Sequence, residues 1–161
     1  MMIECFEPII DNNTKVLILG SMPGKESLLK DEYYGNNRNH FWKILFMLFD
    51  EEYSEDYNVK ISLIKNHNVG LWDVIHRCER KSSLDSDIRK AEINNFDKFF
   101  KENKGIKYIY INGGKAYDLF MKKVDKNIVS DKKIVRLEST SPARAIPFQN
   151  KLDNWKQIIN L

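Results

Sequence analysis

The chain predicts an α/β fold, a mostly parallel sheet with helices on both faces. Two observations carry this. KVLILG, Lys15 to Gly20, is an unbroken apolar run closed by a glycine, the pattern of a strand buried on both faces. Three further short runs, VGLWDVI, KYIYI and KIVRL, are separated by stretches whose apolar residues recur at helical spacing. Strands that alternate with helices are joined by crossovers, and crossovers produce parallel pairing.

The elements follow in order. After the first strand, Asn39 to Phe49 predicts a helix, because Phe41, Ile44, Leu45, Leu48 and Phe49 stand at i, i+3, i+4, i+7 and i+8. Asn58 to Asn66 is a second, shorter helical pattern. VGLWDVI, Val69 to Ile75, is the second strand. SLDSDIRKAEI predicts a helix with Asp85 or Ser86 as its N-cap. Phe96 to Asn103 is helical and stops before Gly105. Lys107 to Ile111 is the third strand, Gly114 to Lys123 a helix, Lys133 to Leu137 the fourth strand and Asn150 to Ile159 the last helix.

Composition narrows the class. The 161 residues are 42% hydrophobic and 30% charged, which suits one globular domain over residues 1–161 with a substantial core. The longest apolar candidate for a membrane span, FWKILFMLF, is too short and contains Lys43. MMIECFEPII lacks a basic segment and holds Glu4 and Glu7, so it does not read as a signal peptide. Cys5 and Cys78 read as free thiols, which points to the cytoplasm. A net charge of +3, from 26 basic and 23 acidic residues, permits a nucleic-acid partner without arguing for one. GGK at Gly113 to Lys115 lacks the rest of a phosphate loop, so its glycines read as a tight strand-to-helix turn. His76 and Cys78 lack further ligands at zinc spacing and read as structural; no metal is expected. His40 stands where a helix starts, with a catalytic role as the alternative.

In a parallel sheet flanked by helices, ligands bind at the carboxyl ends of the strands. The unusual sequence collects there. Strand one runs into Gly20-Ser21-Met22-Pro23-Gly24, strand two contains Asp73, strand three runs into Asn112-Gly113-Gly114-Lys115, and strand four into Ser139-Thr140-Ser141-Pro142-Ala143-Arg144. YYGNNRNHFW, Tyr33 to Trp42, follows the first of these loops and is dense in aromatics and amides. Its Phe41 and Trp42 fall on the core side of the helix, whereas Tyr33 and Tyr34 precede it and are free to line a pocket. The hydroxyls of STSPAR suit a phosphate, with Arg144 as a guanidinium fork, or equally an ordinary capping loop.

GSMPG, YYGNNRNHFW, LWDVI, SLDSDI, INGGKAYDLF and STSPARA, in that order, resemble the DNA-deoxyinosine (hypoxanthine-DNA) glycosylases, a branch of the uracil-DNA glycosylase superfamily. The likeness runs from about Val16 to Ala145. It implies a three-layer α/β/α sandwich with a short parallel sheet. It implies an enzyme of DNA repair that flips a deaminated base out of DNA and hydrolyses its N-glycosidic bond, acting as a monomer without metal or cofactor. The first loop has Met22 where mismatch-specific relatives carry a water-orienting asparagine, and the resemblance shifts the catalytic amide to Asn39. It places Tyr34 against the flipped base, and Ser139, Thr140, Ser141, Pro142, Ala143 and Arg144 in the loop that enters the DNA groove. Asn36-Asn37 replace the His-Pro usual among the relatives, and Arg144 replaces a smaller polar residue. Chemistry fills in the rest: Ser21, Met22 and Gly24 offer backbone N–H groups to the leaving base, and Asp73 reads a base N–H or helps the water. A uracil or mismatch-specific glycosylase and a nucleic-acid or nucleotide-binding module without catalysis are the alternatives.

Overall fold

The computed structural model describes residues 2–161. Two sheets are present. The larger holds β2 (Val16–Gly20), β3 (Val69–Asp73), β6 (Tyr108–Asn112) and β7 (Lys133–Leu137) in the order β3-β2-β6-β7, all parallel. The smaller is antiparallel, β1 (Met2–Glu4), β4 (Ile75–Glu79) and β5 (Arg89–Ile93), in the order β1-β4-β5.

The predicted three layers follow from side-chain alternation along β2. Val16 and Ile18 pack on one face with Phe41, Ile44 and Leu45 of α2 (Phe41–Leu48), Leu63 and Ile64 of α3 (Tyr57–Asn66) and Trp155 of α6 (Phe148–Trp155). Leu17 and Leu19 pack on the other face with Phe96 and Phe100 of α4 (Phe96–Glu102) and Phe120 of α5 (Gly114–Lys123). Every residue of β2 is buried, as a strand sandwiched between helices requires. A short helix α1 (Lys25–Lys30) precedes the aromatic, amide-rich segment.

Local chemistry sets the helix ends. The Asp56 side chain accepts from the Asn58 N–H at 2.8 Å to start α3, and the Asn95 side chain accepts from the Lys98 N–H at 3.1 Å to start α4. Gly113, with φ +94°, makes the tight turn into α5, where a Cβ would stand 3.2 Å from Ser139 Cβ. Lys115 beyond it is exposed, in keeping with a turn rather than a phosphate loop. The last helix begins at Phe148, earlier than Asn150, because Pro147 supplies its entry; it ends in a 3₁₀ turn, Lys156–Ile158.

Two predicted elements are corrected. VGLWDVI is not one strand: Val69–Asp73 lies in the parallel sheet, whereas Ile75 opens β4 of the antiparallel sheet. Val74 and Ile75 are both fully buried, but in different apolar clusters, so hydropathy carries no mark of the break. SLDSDIRKAEI is not a helix: it forms a 3₁₀ turn, Asp85–Asp87, and then β5. Leu84, Ile88 and Ala91 mimic helical spacing, but the backbone is satisfied by pairing with β4, with register shifts along the pair and Lys90 at φ +54°. The N-terminal strand β1, which pairs Met2 with Glu79, carries too few residues to show a period.

A cleft at the carboxyl ends of the parallel strands

The strand ends meet as expected: Gly20 is in register with Asp73, and Asn112 with Leu137. Around them opens a cleft of ≈ 440 Å³. Ser21, Met22 and Gly24 line it from the first loop, Tyr34 and Asn39 from the aromatic segment, Asp73 from β3, and Ser139, Thr140, Ser141, Pro142 and Ala143 from the last loop. Arg144 is not among the lining residues; it is exposed and ion-paired to Glu138 at 2.8 Å.

Asp73 is the most unusual group. It is 5% exposed, and its Oδ2 is buried without a partner. Burial, reinforced by nearby Asp85 and opposed by Arg80, raises its pKa from the ordinary carboxylate value to about 7. At neutral pH the carboxyl is therefore poised between acceptor and donor. Gly20 is required opposite it, because a Cβ there would lie 2.7 Å from Asp73 Oδ1 and 3.0 Å from the Tyr34 hydroxyl. Behind the site, Asn94 Nδ2 donates to the Asp73 carbonyl at 2.7 Å and steadies the strand end.

Tyr34 has left-handed backbone, φ 54°, which turns its ring back onto Phe41; the rings stack with centroids 3.8 Å apart and planes at 14°. Burial holds its hydroxyl neutral. Asn112, a rim residue whose central place the sequence did not reveal, donates through Nδ2 to the Tyr34 hydroxyl at 3.3 Å and to Thr140 Oγ1 at 2.9 Å. Its Oδ1 accepts from the Thr140 N–H at 3.0 Å. Thr140 is fully buried with its hydroxyl and N–H so engaged; it braces the last loop from beneath. Above it, Ser139 Oγ accepts from the Ser141 N–H and Ser141 Oγ from the Ala143 N–H, both at 3.2 Å. Lys151, buried beneath the same loop, donates to the Ser141 carbonyl at 3.0 Å.

Asn39 is half-buried, and both its backbone N–H and its side-chain oxygen are engaged. Its backbone N–H donates to the Asn36 carbonyl at 2.9 Å, and its Oδ1 accepts from the Phe41 N–H at 2.9 Å, capping the first turn of α2. An amide oxygen has a second lone pair, and that one is free to accept. Next to it, the His40 N–H donates to the Thr140 carbonyl at 3.1 Å and ties this segment to the last loop. His40 does not line the cleft, and burial, with Lys151 and Lys43 nearby, lowers its pKa. Asn36 lines the cleft and accepts through Oδ1 from the Arg38 N–H at 2.9 Å; Asn37 Oδ1 accepts from Lys30 at 3.4 Å.

One wall was not foreseen. The connection Arg80–Asp87 between β4 and β5 lies over the first loop and adds Ser83, Leu84 and Asp85 to the cleft. Ser21 Oγ donates to Asp85 Oδ1 at 2.7 Å, the Lys25 N–H donates to Ser83 Oγ at 2.9 Å, and Arg80 donates to the Pro23 carbonyl. Met22 packs against Ile75, Cys78 and Ile88. The dense hydroxyls and carboxylates of SSLDSD were the only local sign that this segment binds another loop.

Residues 7–161 match the model of the uracil DNA glycosylase superfamily. The chain belongs to that superfamily. Two relatives named hypoxanthine DNA glycosylase, from Methanosarcina barkeri and Methanosarcina acetivorans, are each 38% identical over 112 residues, covering 69% of this chain and 71% of theirs. A solution NMR structure from Methanosarcina acetivorans, of a protein provisionally described as a uracil DNA glycosylase, superposes with a TM-score of 0.80 at 31% identity. That comparison covers 98% of this chain and 96% of the other, so the two folds correspond along nearly all of this chain.

Proposed function

We propose that this superfamily member hydrolyses the N-glycosidic bond of hypoxanthine in deoxyinosine, after the nucleotide has swung out of DNA into the cleft. The observation that carries this is the meeting of Asn39, Tyr34 and Asp73 around one cleft at the sheet edge, in a chain related to two hypoxanthine DNA glycosylases. A base inside a duplex is out of reach, and extruding it costs a few kcal/mol. Stacking on an aromatic ring returns about 1–3 kcal/mol. Tyr34 offers such a ring, backed by Phe41.

Bond cleavage passes through an oxocarbenium-like sugar, for which a well-placed water suffices as nucleophile. The free lone pair of Asn39 Oδ1 accepts a hydrogen from that water and aims it. Asp73 meets the base edge: ionised, it accepts from the N1–H of hypoxanthine; protonated, it donates to a ring acceptor as the base leaves with the bonding electrons. N–H groups of Ser21, Met22 and Gly24 face the same developing charge. The last loop meets the DNA backbone. The unpartnered Oδ2 of Asp73 favours a second assignment, in which this carboxylate and not Asn39 activates the water.

Nothing in this scheme needs an amine nucleophile, a metal or a cofactor, so the enzyme is monofunctional and leaves an abasic site. Neither Lys25 nor Lys115 lines the cleft. Action as a monomer in the cytoplasm belongs to the same reading. The unpaired Cys5 and Cys78 suit a reducing compartment, and no described helix is long and apolar enough to cross a membrane.

Labelled duplexes carrying deoxyinosine, deoxyuridine, deoxyxanthosine or no lesion, incubated with the protein and then treated with alkali, test the reading. Strand breaks at deoxyinosine that appear only after alkali support it. Breaks confined to deoxyuridine overturn the substrate, binding without breaks overturns the catalysis, and a borohydride-trapped covalent adduct overturns the water nucleophile.

A further inference from the structure

We propose that Arg38 is a positioning residue: its guanidinium grips a phosphate flanking the extruded nucleotide and seats the sugar beside Asn39. This rests on the base-extruding reading above. Charge poses the problem. The residues lining the cleft include three carboxyl groups, Glu26, Asp73 and Asp85, and a single cation, Arg38. A nucleotide that enters the cleft brings a phosphate on each side, and like charges repel. The hydroxyls and N–H groups of the last loop can bond a phosphate but carry no full charge. Arg38 carries one, on a planar fork that matches two phosphate oxygens.

The guanidinium is uncommitted. Arg38 is exposed, and among the described residues its side chain enters no hydrogen bond or ion pair. Other cations around the cleft are already engaged. Lys30 Nζ donates to the Gly35 carbonyl at 2.7 Å, Lys151 to the Ser141 carbonyl at 3.0 Å and Arg80 to the Pro23 carbonyl, while Arg144 pairs with Glu138 at 2.8 Å. Glu26 is exposed on the same cleft and is in no ion pair among the described residues, so Arg38 is not neutralised from within the chain.

Its base is braced. Asn37 and Arg38 form the corner of a turn that the Asn39 N–H closes on the Asn36 carbonyl at 2.9 Å. Asn36 Oδ1 accepts from the Arg38 N–H at 2.9 Å, and Lys30 Nζ reaches Asn37 Oδ1 at 3.4 Å. A side chain presented on a braced turn loses less entropy when it binds. The next residue is Asn39, itself held by the Phe41 N–H. A phosphate gripped by Arg38 is thus tied, one residue away, to the amide that aims the water, and misplacing reacting groups by 1 Å can cost about 10²-fold in rate. Once paired with phosphate, the guanidinium adds no net charge beside the cationic sugar.

The test uses the full chain and deoxyinosine duplexes in which one phosphate at a time is a neutral methylphosphonate. Binding and single-turnover cleavage are read separately. Wild type should lose about tenfold in affinity when one phosphate flanking the lesion is neutral. Arg38→Ala should lose about as much on the natural duplex, lower the log–log salt slope by about one, and lose nothing more at that methylphosphonate. At saturating enzyme it should still cleave roughly tenfold more slowly than wild type. Arg38→Lys should restore the salt slope but only part of the cleavage, because a point charge lacks the fork. Arg144→Ala should keep the methylphosphonate penalty in full. Losses that simply add for Arg38→Ala at every flanking phosphate overturn the grip, as does a wild-type protein indifferent to all the methylphosphonates. Coupling to a phosphate of the opposite strand overturns its placement, and normal cleavage by Arg38→Ala at saturating enzyme overturns the seating of the sugar. The binding arm needs no cleavage. A wild-type protein that shows the coupling but cleaves no deoxyinosine duplex therefore fails the parent reading and not this one.

Discussion

Replacing Asn39 by alanine removes two things at once, and the structure separates them. The first is a cap on the entry to α2: from the position before the N-cap residue His40, Oδ1 accepts from the Phe41 N–H at 2.9 Å, and losing one such hydrogen bond costs about 1 kcal/mol. In a chain of 161 residues that lowers the melting temperature by roughly 2–4 °C. The second is the lone pair aimed at water, whose loss slows the chemical step by roughly 10²–10⁴-fold, or about 3–5 kcal/mol of barrier. Asn39→Ser keeps an oxygen that can cap but sits too close to the backbone to reach the water. Asn39→Asp keeps both the cap and an acceptor at the same atom. Stability should therefore rank Asp and Ser together above Ala. Cleavage should rank Asp above Ser and Ala, which are equally impaired. Melting curves and single-turnover cleavage of a deoxyinosine duplex at saturating enzyme measure the two orders, with binding of the lesion duplex near normal throughout. If Asn39→Ala cleaves within a few-fold of wild type, or if activity follows the melting temperature across the three variants, the oxygen serves only the helix. Loss of cleavage in Asp73→Ala would then move catalysis to the carboxylate.

Three further outcomes follow from the same cleft. Tyr34→Ala should need roughly 10- to 100-fold more enzyme to reach half its maximal single-turnover rate, while Tyr34→Phe, which keeps the ring and loses only the Asn112 contact, should resemble wild type; equal behaviour of the two would remove the stacking role. Asp73 has a raised folded pKa of about 7, so the native state binds its proton more tightly than the unfolded chain, and its contribution is most favourable below about pH 4 and is lost as pH rises through about 7. Asp73→Asn should accordingly raise the melting temperature at pH 8 and lose most of that gain at pH 4; a gain independent of pH would show that the carboxyl is not the titrating group. Arg144→Ala should weaken DNA binding and reduce its log–log salt slope by about one, and an unchanged slope would leave Arg144 as the surface partner of Glu138 alone.

Much of this architecture is written locally in the chain. VLILG, Val16 to Gly20, declares a strand covered on both faces because none of its residues is polar, and β2 is buried throughout. The periodic segments became α2, α3, α4 and α5 within a residue or two, since apolar spacing records which side of a helix meets the core. The rim followed from topology alone: parallel strands place all their carboxyl ends on one edge, so Ser21, Asp73 and the last loop had to converge.

Tertiary structure decided the rest. The break at Val74, and strand β5 in place of a helix, depend on backbone partners remote in sequence, such as Met2 opposite Glu79, which no local period can announce. The same pairing carries the Arg80–Asp87 connection over the first loop and brings Leu84 to the cleft. Thr140 reads as one more DNA-facing hydroxyl of the last loop, but it is fully buried with Asn112 on both its polar groups, and Arg144 reads as a guanidinium for phosphate, whereas Glu138 pairs it outside the cleft. Asp73 shows the limit most plainly. Its place at the end of a strand is a property of the sequence. Its protonation is shifted by burial and by the charges of Asp85 and Arg80, an environment that only the folded chain assembles.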